Sequence, residues 1–234
     1  MKKQALLLVL VVLCLGSLAS ADSFYLYSSR VGSTDFIDWT QLGPDYTVSG
    51  ATIPTPAFVG TAAGNFALVG NTNGGDFLRS DSGISFSGNF GNGENLVWTG
   101  NPLLGLGGGG PLAIELFYPV GAVMFGIQAD ESGPFTASVD IFDSNFTYLT
   151  SFSFNGNSGC CFGGNELVIG IQDTTAVNIG AVVIGTNSGD PNWNNDFLIN
   201  DPSFNYTTPE PSSLILVGSG AVGLAGVIRR KLGR

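Results

Sequence analysis

Three glycines near the C-terminus, Gly218, Gly220 and Gly223, follow an apolar run with the G-x-G-x-x-G spacing that binds dinucleotides. A dinucleotide site also needs a second strand after the helix and an acidic residue about 20 positions further on, which binds the ribose. Eleven residues follow Gly223, and none of them is acidic. The sequence therefore does not favour nucleotide binding by these glycines.

The same residues fit a membrane anchor. Residues 212–228 carry no charge and are rich in small side chains, which a membrane helix tolerates because it satisfies its own backbone hydrogen bonds. A basic end follows, made of Arg229, Arg230, Lys231 and Arg234. Because basic residues stay on the cytoplasmic side, we expect a transmembrane helix with the preceding chain on the outer face of the membrane.

The other end of the chain predicts export. A short basic region is followed by an apolar stretch at residues 5–18 and by an A-x-A sequence at 19–21. This is the order of a secretory signal peptide, with cleavage between Ala21 and Asp22. The sequence thus divides into a signal peptide at 1–21, one extracytoplasmic domain at 22–208 and a C-terminal segment at 209–234.

Most catalytic chemistry is absent from the sequence. The chain has no histidine, and no lysine lies between residues 22 and 208, which removes Ser-His-Asp and Cys-His catalysis, histidine-bound zinc and Schiff-base chemistry. A pair of carboxylates, as in glycoside hydrolysis, is left open, with Glu94, Glu115 and Glu166 as candidates. Since nothing in the sequence places two of them together, we predict that the protein is not an enzyme.

A stretch rich in oxygen ligands, "NSGDPNWNNDFLIND", is a candidate calcium site. Calcium takes six to eight oxygens from carboxylates, amides and backbone carbonyls, and the charged ligands here would be Asp190, Asp196 and Asp201. Asp and Asn are also frequent turn residues. The stretch is therefore either a calcium site or a metal-free turn.

The three tryptophans of the central domain can be interpreted in two ways. Trp39, Trp98 and Trp193 each lie beside polar residues, so they form either a stacking platform for sugar rings or packing contacts of the sheets.

Cys160 and Cys161 are sequence neighbours in a glycine-rich turn. They form either a structural pair of thiols or a strained disulfide, because adjacent α-carbons lie closer together than in most disulfides.

The charge of the central domain limits its partners. Seventeen of the eighteen acidic residues and only two of the eight basic residues, Arg30 and Arg79, lie between 22 and 208. Such a domain repels phosphate backbones, so nucleic-acid binding is not expected. Divalent cations and neutral sugars fit the charge better.

The pattern of apolar residues predicts an all-β fold. "FTASVDIF" alternates, with Phe135, Ala137, Val139 and Ile141 on one face. Further apolar runs lie at 112–118, 122–129, 148–154, 166–171, 177–185 and 196–200, separated by short turn sequences. Regular strands with short turns predict an antiparallel β-sandwich of jelly-roll kind with few helices.

The first half of the domain has a weaker pattern. "FYLYSS", "FALVG", "ISFSGNF" and "NLVWTG" are predicted strands, and "GLGGGG" at 105–110 is predicted to be a mobile surface loop joining them to the second half.

The C-terminal segment resembles the PEP-CTERM sorting signal of Gram-negative bacteria. Pro209, Glu210 and Pro211 stand directly before the apolar segment and the basic end, which is the order of that signal. The resemblance implies an exosortase-type enzyme as partner. It also implies a protein anchored in the inner membrane on its periplasmic side before sorting, then carried to the cell surface or extracellular matrix.

The strand succession of the central domain is also similar to the β-sandwich ectodomains of such proteins and to carbohydrate-binding jelly rolls. This second resemblance supports the fold and names no ligand. The PEP-CTERM resemblance implies a link to exopolysaccharide and biofilm, and we therefore expect a structural or adhesive function. The alternative is a carbohydrate-binding module, with or without calcium.

Overall fold

The computed structural model of the chain describes residues 23–28, 33–50, 52–160 and 163–206. Within these ranges the protein is built from sixteen strands: β1 (Phe24–Tyr27), β2 (Asp35–Phe36), β3 (Ala57–Gly60), β4 (Phe66–Asn71), β5 (Leu78–Asp81), β6 (Asn95–Trp98), β7 (Gly100–Asn101), β8 (Leu106–Gly107), β9 (Leu112–Val120), β10 (Ala122–Ala129), β11 (Gly133–Phe142), β12 (Tyr148–Ser158), β13 (Leu167–Asp173), β14 (Ile179–Asn187), β15 (Phe197–Asn200) and β16 (Ser203–Asn205). Helical structure in these ranges is limited to α1 (Tyr46–Ser49) and to 3-10 turns at Trp39–Leu42, Pro102–Leu104 and Pro191–Trp193.

The strands form two large sheets and one small one. The eight-stranded sheet has the order β1-β13-β10-β15-β6-β5, with β16 paired to β10 and β2. The six-stranded sheet has the order β12-β11-β14-β9-β4-β3, and β7 pairs with β8. The strand pairs of the two large sheets are antiparallel. The predicted antiparallel all-β architecture is therefore confirmed.

The chain crosses repeatedly between the large sheets. Strands β6, β15, β10 and β13 are neighbours in one sheet, and β9, β14, β11 and β12 are neighbours in the other. Between β9 and β15, every step along the chain changes sheet except the hairpin β11–β12. This is the strand order of a jelly roll, in which two Greek keys share two sheets.

The main core lies between the two large sheets. Strand β11 contributes the four residues that the sequence alternation predicts, Phe135, Ala137, Val139 and Ile141, all buried. From the opposite sheet, Val123, Phe125 and Ile127 of β10 join the same cluster. The alternation works because successive side chains of a strand point to opposite faces, so one face is removed from water.

The eight-stranded sheet is covered on its outer face as well. All eight residues of β10 are buried, which requires packing on both sides of the sheet. A second cluster on the outer side joins Leu78, Phe90, Leu96, Trp98 and Leu198, with Tyr46, Phe86 and Leu106 packed against it. Helix α1 and the loop at 82–94 therefore act as a lid on this sheet.

Two predictions for the first half of the domain are wrong. Residues 84–90, "ISFSGNF", form a loop rather than a strand, and Phe86 and Phe90 use their rings to cover the sheet. The glycine run is also packed rather than a mobile surface loop, since Gly109 and Gly110 are buried. A β-carbon on Gly75 would lie 2.4 Å from the α-carbon of Gly108, so the two backbones touch where no side chain fits.

The two ends of the chain lie outside the described residues. These ends contain the predicted signal peptide with its cleavage site at Ala21 and Asp22, and the predicted transmembrane segment at 212–228. Within the described part of the chain, no helix has the length and apolar character needed to span a bilayer.

Candidate functional site

Each of the three predicted calcium ligands accepts a hydrogen bond in a different part of the structure. Asp190 begins the 3-10 turn Pro191–Trp193 and accepts a hydrogen bond from the Asn192 amide at 2.9 Å. The Asp196 carboxylate accepts the indole N–H of Trp98 at 2.7 Å. Asp201 accepts the backbone amide of Trp39 at 2.9 Å.

These three carboxylates do not meet around one ion. Asp196 and Asp201 stand at opposite ends of strand β15, and five steps of extended chain separate their α-carbons by roughly 16 Å. No group of three or more acidic, cysteine or histidine side chains in the described ranges could hold a metal ion. The predicted ligand set of Asp190, Asp196 and Asp201 is therefore wrong, and Asp190 is the cap of a turn.

The structure instead brings Asp196 next to a residue that the sequence did not single out, Asp130. The backbone N–H of Asp130 donates to the carbonyl of Asp196 at 3.0 Å, just beyond the β10–β15 register pair Ala129–Phe197. The two side chains therefore point to the same, outer face of the sheet. Only the register of β10 against β15 creates this pair, so no local sequence signal could have found it.

The carboxylates of Asp130 and Asp196 are largely removed from water. Asp196 is 2% exposed, and its Oδ2 has no hydrogen-bond partner among the described residues. Burial raises the pKa of Asp130 to about 6, and the charge of Asp196 adds to this effect. Burial also raises the pKa of Asp196, although hydrogen bonds from Trp98 and Asn101 act in the opposite direction. Like charges opposite each other on paired strands are destabilising.

The three glutamates considered for hydrolysis are divided between the two sheets. Glu94 accepts a hydrogen bond from the Asn200 side-chain amide at 2.8 Å, and a β-carbon on Gly126 would touch both Asn200 and Glu166. Glu94 and Glu166 therefore lie against the same buried amide. Glu115 belongs to β9 of the other sheet, so it cannot act with either of them on one bond.

The tryptophans do not form one platform. Trp39 is fully buried in the main core, and Trp98 is 7% exposed in the second cluster. Trp193 is half-buried in the 3-10 turn that follows Asp190. The packing interpretation is thus confirmed for Trp39 and Trp98.

Cys160 is disulfide-bonded. Cys161, its neighbour in the sequence, lies outside the described residues. The glycine-rich turn therefore holds a covalent cross-link at Cys160.

The outer face of the six-stranded sheet, here called the open face, has no helix or loop packed over it within the described ranges, and a cluster of three phenylalanine side chains is exposed on it. Phe58, Phe66 and Phe117 are 59%, 45% and 52% exposed. The Phe58 ring stacks on Phe66 at 5.0 Å between centroids and meets Phe117 edge-on at 5.6 Å. Three rings from three neighbouring strands thus form one exposed aromatic patch on the open face.

The other half of the open face is polar along most of its length. On β11 and β12, Thr136, Ser138, Asp140, Ser151, Ser153 and Asn155 point outward, and the rings of Phe142 and Tyr148 meet edge-on at 5.8 Å at one end of these strands. The Thr136 hydroxyl lies 3.2 Å from the Asn155 amide oxygen. These hydroxyl and amide groups lie in register across two strands, so they present a regular array of donors and acceptors.

Two small residues lie beside the aromatic patch on the open face. Gly70 of β4 pairs with Ala113 of β9, four residues along the same strands from Phe66 and Phe117. A depression of about 220 Å³ is lined here by Pro56, Leu68, Gly70, Ala113 and Glu115. A second depression, of about 500 Å³, lies at the end of the polar half and is lined by Thr136, Asn155, Asn187 and Ser188 among others.

The charge of this surface is weakly negative. Glu115 and Asp140 are the acids of the open face. Arg79 is the only basic residue in the described part of the chain, and it is buried in the other sheet, where it pairs with Asp81 at 2.5 Å. The described surface thus offers no basic group to an anion.

Family comparison identifies the segment that follows this domain. The PEP-CTERM protein-sorting motif matches residues 207–231, which include the predicted Pro209, Glu210 and Pro211 and the basic residues Arg229, Arg230 and Lys231. The chain is therefore a PEP-CTERM sorting domain-containing protein. The motif indicates a secreted protein that is recognised by an exosortase-type enzyme and processed at the membrane for the cell surface.

No curated protein matches the chain. Among solved structures, a DUF4465 family protein from Bacteroides caccae is 10% identical, with 80% of this chain and 95% of that chain covered and a TM-score of 0.33. The enzymatically active domain of bacteriophage CBA120 tailspike protein 4 is 11% identical, with 80% and 20% covered and a TM-score of 0.26. A low affinity xylan binding module, CBM86, from Roseburia intestinalis is 10% identical, with 79% and 96% covered and a TM-score of 0.16. At these TM-scores the likenesses carry no argument about function.

Proposed function

We propose that the protein is a structural or adhesive component of the cell surface or extracellular matrix, linked to exopolysaccharide or biofilm. In this proposal the domain crosses the inner membrane by means of its signal peptide. It stays anchored on the periplasmic side by the C-terminal segment until an exosortase-type enzyme acts on Pro209, Glu210 and Pro211. The sorting motif at 207–231 is the observation that carries the proposal.

The positions of the candidate catalytic carboxylates support a role without catalysis. Its candidate carboxylates are separated between two sheets or packed against Asn200. A folded jelly roll that keeps one sheet face exposed is suited to contacts with other matrix components. The segment that follows the domain carries Pro209, Glu210 and Pro211 within the matched sorting motif, which supports recognition by a sorting enzyme.

The test is replacement of Pro209, Glu210 and Pro211 by alanine in a host that has an exosortase-type enzyme. We expect export to continue and the full-length protein to accumulate in the inner membrane fraction, while the parent protein reaches the surface. Replacement of Ser212 and Ser213 by alanine is the matched control and should be sorted like the parent. Normal processing of the alanine-substituted motif would show that these three residues are not what the sorting enzyme recognises.

A further inference from the structure

The outer faces of the two large sheets differ in how far other parts of the chain cover them. The eight-stranded sheet is covered by α1 and the loop at 82–94, which pack on β5, β6 and β15, and the Asn89 amide of this loop donates to the Gln128 side chain of β10. The six-stranded sheet has no such lid in the described ranges, and three phenylalanines are exposed on it. A stacked, exposed aromatic cluster of this kind marks a binding surface rather than ordinary scattered exposure.

The open face combines two chemistries in a fixed order. From β3 to β9 it presents the faces and edges of Phe58, Phe66 and Phe117, and from β11 to β12 it presents hydroxyl and amide groups. Beside the aromatic patch, on β4 and β9, Gly70 and Ala113 line a depression. Six strands span about 24 Å, so the face offers an extended track with one apolar half and one hydrogen-bonding half.

From this arrangement we infer that the open face binds a neutral polysaccharide chain laid across the strands. A sugar ring has an apolar C–H face that packs on an aromatic ring and a rim of hydroxyls that exchange hydrogen bonds with Ser, Thr and Asn side chains. The aromatic patch holds ring faces, the depression at Gly70 accepts one sugar unit beside Glu115, and the polar half binds the continuing chain. The inference rests on the proposed function and names the matrix component that this surface contacts.

Charge selects a neutral polysaccharide over an anionic one. Glu115 and Asp140 lie on the face, and the single described base, Arg79, is buried in the opposite sheet. A uronate, sulfate or phosphate polymer would find repulsion here and no cationic partner. A protein partner is disfavoured by the polar half, because the centres of protein interfaces are depleted in serine and in acidic residues.

The test uses the full chain, purified in detergent micelles, in native electrophoresis through gels that contain hydroxyethylcellulose, xylan or galactomannan, with alginate as the anionic comparison. We expect retardation by at least one neutral polymer and none by alginate. Phe58→Ala and Phe117→Ala should each weaken binding about five- to tenfold, as the loss of one ring contact implies. Tyr25→Ala, which removes an aromatic residue that is 60% exposed on the other sheet, is the matched control and should not change retardation.

A second variant keeps the test valid if the phenylalanine variants fold poorly. A β-carbon at Gly70 would meet only ordinary contacts, the nearest being 3.8 Å from Pro56. Gly70→Val places its side chain in the depression that Gly70 lines, and we expect it to abolish retardation while the melting temperature stays close to that of the parent. Retardation that survives all three substitutions would overturn the inference.

Two other outcomes also contradict it. No retardation by any of the three neutral polymers would show that the face does not bind such chains. Sedimentation as a dimer that Phe58→Ser dissociates, without retardation, would assign the patch to contacts between copies of this chain. Sorting of the Phe58 and Phe117 variants is expected to be normal, so failure of polysaccharide binding and failure of the sorting proposal give different results.

Discussion

Asp130 and Asp196 stand side by side at the end of the β10–β15 pair, joined by a 3.0 Å hydrogen bond between their backbones, with both carboxylates on the lidded face of the sheet. The pair has a thermodynamic cost. Each carboxylate is partly removed from water, and no basic residue of the described chain pairs with either of them. Burial, and after it the charge of Asp196, favours the protonated form of Asp130, whose pKa rises from 3.8 to about 6.

Stability should therefore depend on pH through Asp130. An acid with a raised pKa binds more protons in the folded than in the unfolded state between pH 4 and 6, so the free energy of unfolding falls as pH rises through this window and levels off above it. A shift of this size corresponds to about 1–3 kcal/mol. We expect Asp130→Asn to flatten this dependence and to be more stable than the parent at pH 7.5. Urea unfolding at pH 4.5 and 7.5 measures both effects.

The control for Asp130→Asn is Asp140→Asn, which removes one negative charge from the other sheet. A change in stability that both variants share would come from the loss of one negative charge and not from the position of Asp130. If Asp130→Asn has the same pH profile as the parent protein, the raised pKa of Asp130 does not govern stability.

Trp98 should matter more at high pH than at low pH. Its indole N–H donates to the Asp196 carboxylate at 2.7 Å, and a hydrogen bond to a charged group contributes about 1.5–3 kcal/mol. Trp98→Phe removes this donor, so the destabilisation should be larger at pH 8 than at pH 4.5, because the ionised fraction of Asp196 increases with pH.

Trp39→Phe is the matched comparison, because the indole nitrogen of Trp39 has no hydrogen-bond partner in the described ranges. Its loss is one of core packing and should be the same at both pH values in urea titrations. Equal pH dependence for the two variants would show that the Trp98–Asp196 hydrogen bond is not the source of the effect.

The contact between Gly75 and Gly108 predicts a position-specific cost of adding a methyl group. In Gly75→Ala the new β-carbon would lie 2.4 Å from the Gly108 backbone, which cannot move as a side chain can. We expect a loss of about 2–3 kcal/mol, as for an overpacked site. Gly70→Ala has room, with its nearest contact at 3.8 Å, and should change stability by less than about 1 kcal/mol or increase it. Thermal unfolding of the two variants distinguishes a tight contact from a general intolerance of alanine.

Sequence patterns predicted the strands of the second half of the domain well, because buried strands leave clear local signals. The alternation at 135–141 and the apolar run at 122–129 correspond closely to β11 and β10. The loop with Phe86 and Phe90 is predicted as a strand because its apolar residues alternate. The structure shows that the same alternation also occurs in a loop whose aromatic rings cover a sheet. The short pair β2–β16 joins distant parts of the chain and has no local signal.

The sequence itself contains an argument against the predicted calcium site. The run "DFLIN" was itself a predicted strand, and an extended strand between Asp196 and Asp201 separates their side chains beyond the reach of one ion. Asp130 and the aromatic patch were missed for another reason. Both depend on register between strands that are far apart in the chain, and composition alone does not determine register.

Strand β16 gives the domain a particular mechanical attachment. It is only three residues long, ends one residue before the last described residue and pairs with β10 and β2 inside the eight-stranded sheet. Tension applied through the C-terminal segment therefore enters the domain at β10, a central strand buried on both faces, rather than at a sheet edge. The few hydrogen bonds of β16 bear that tension first, so they set the force at which the domain begins to open from its tethered end.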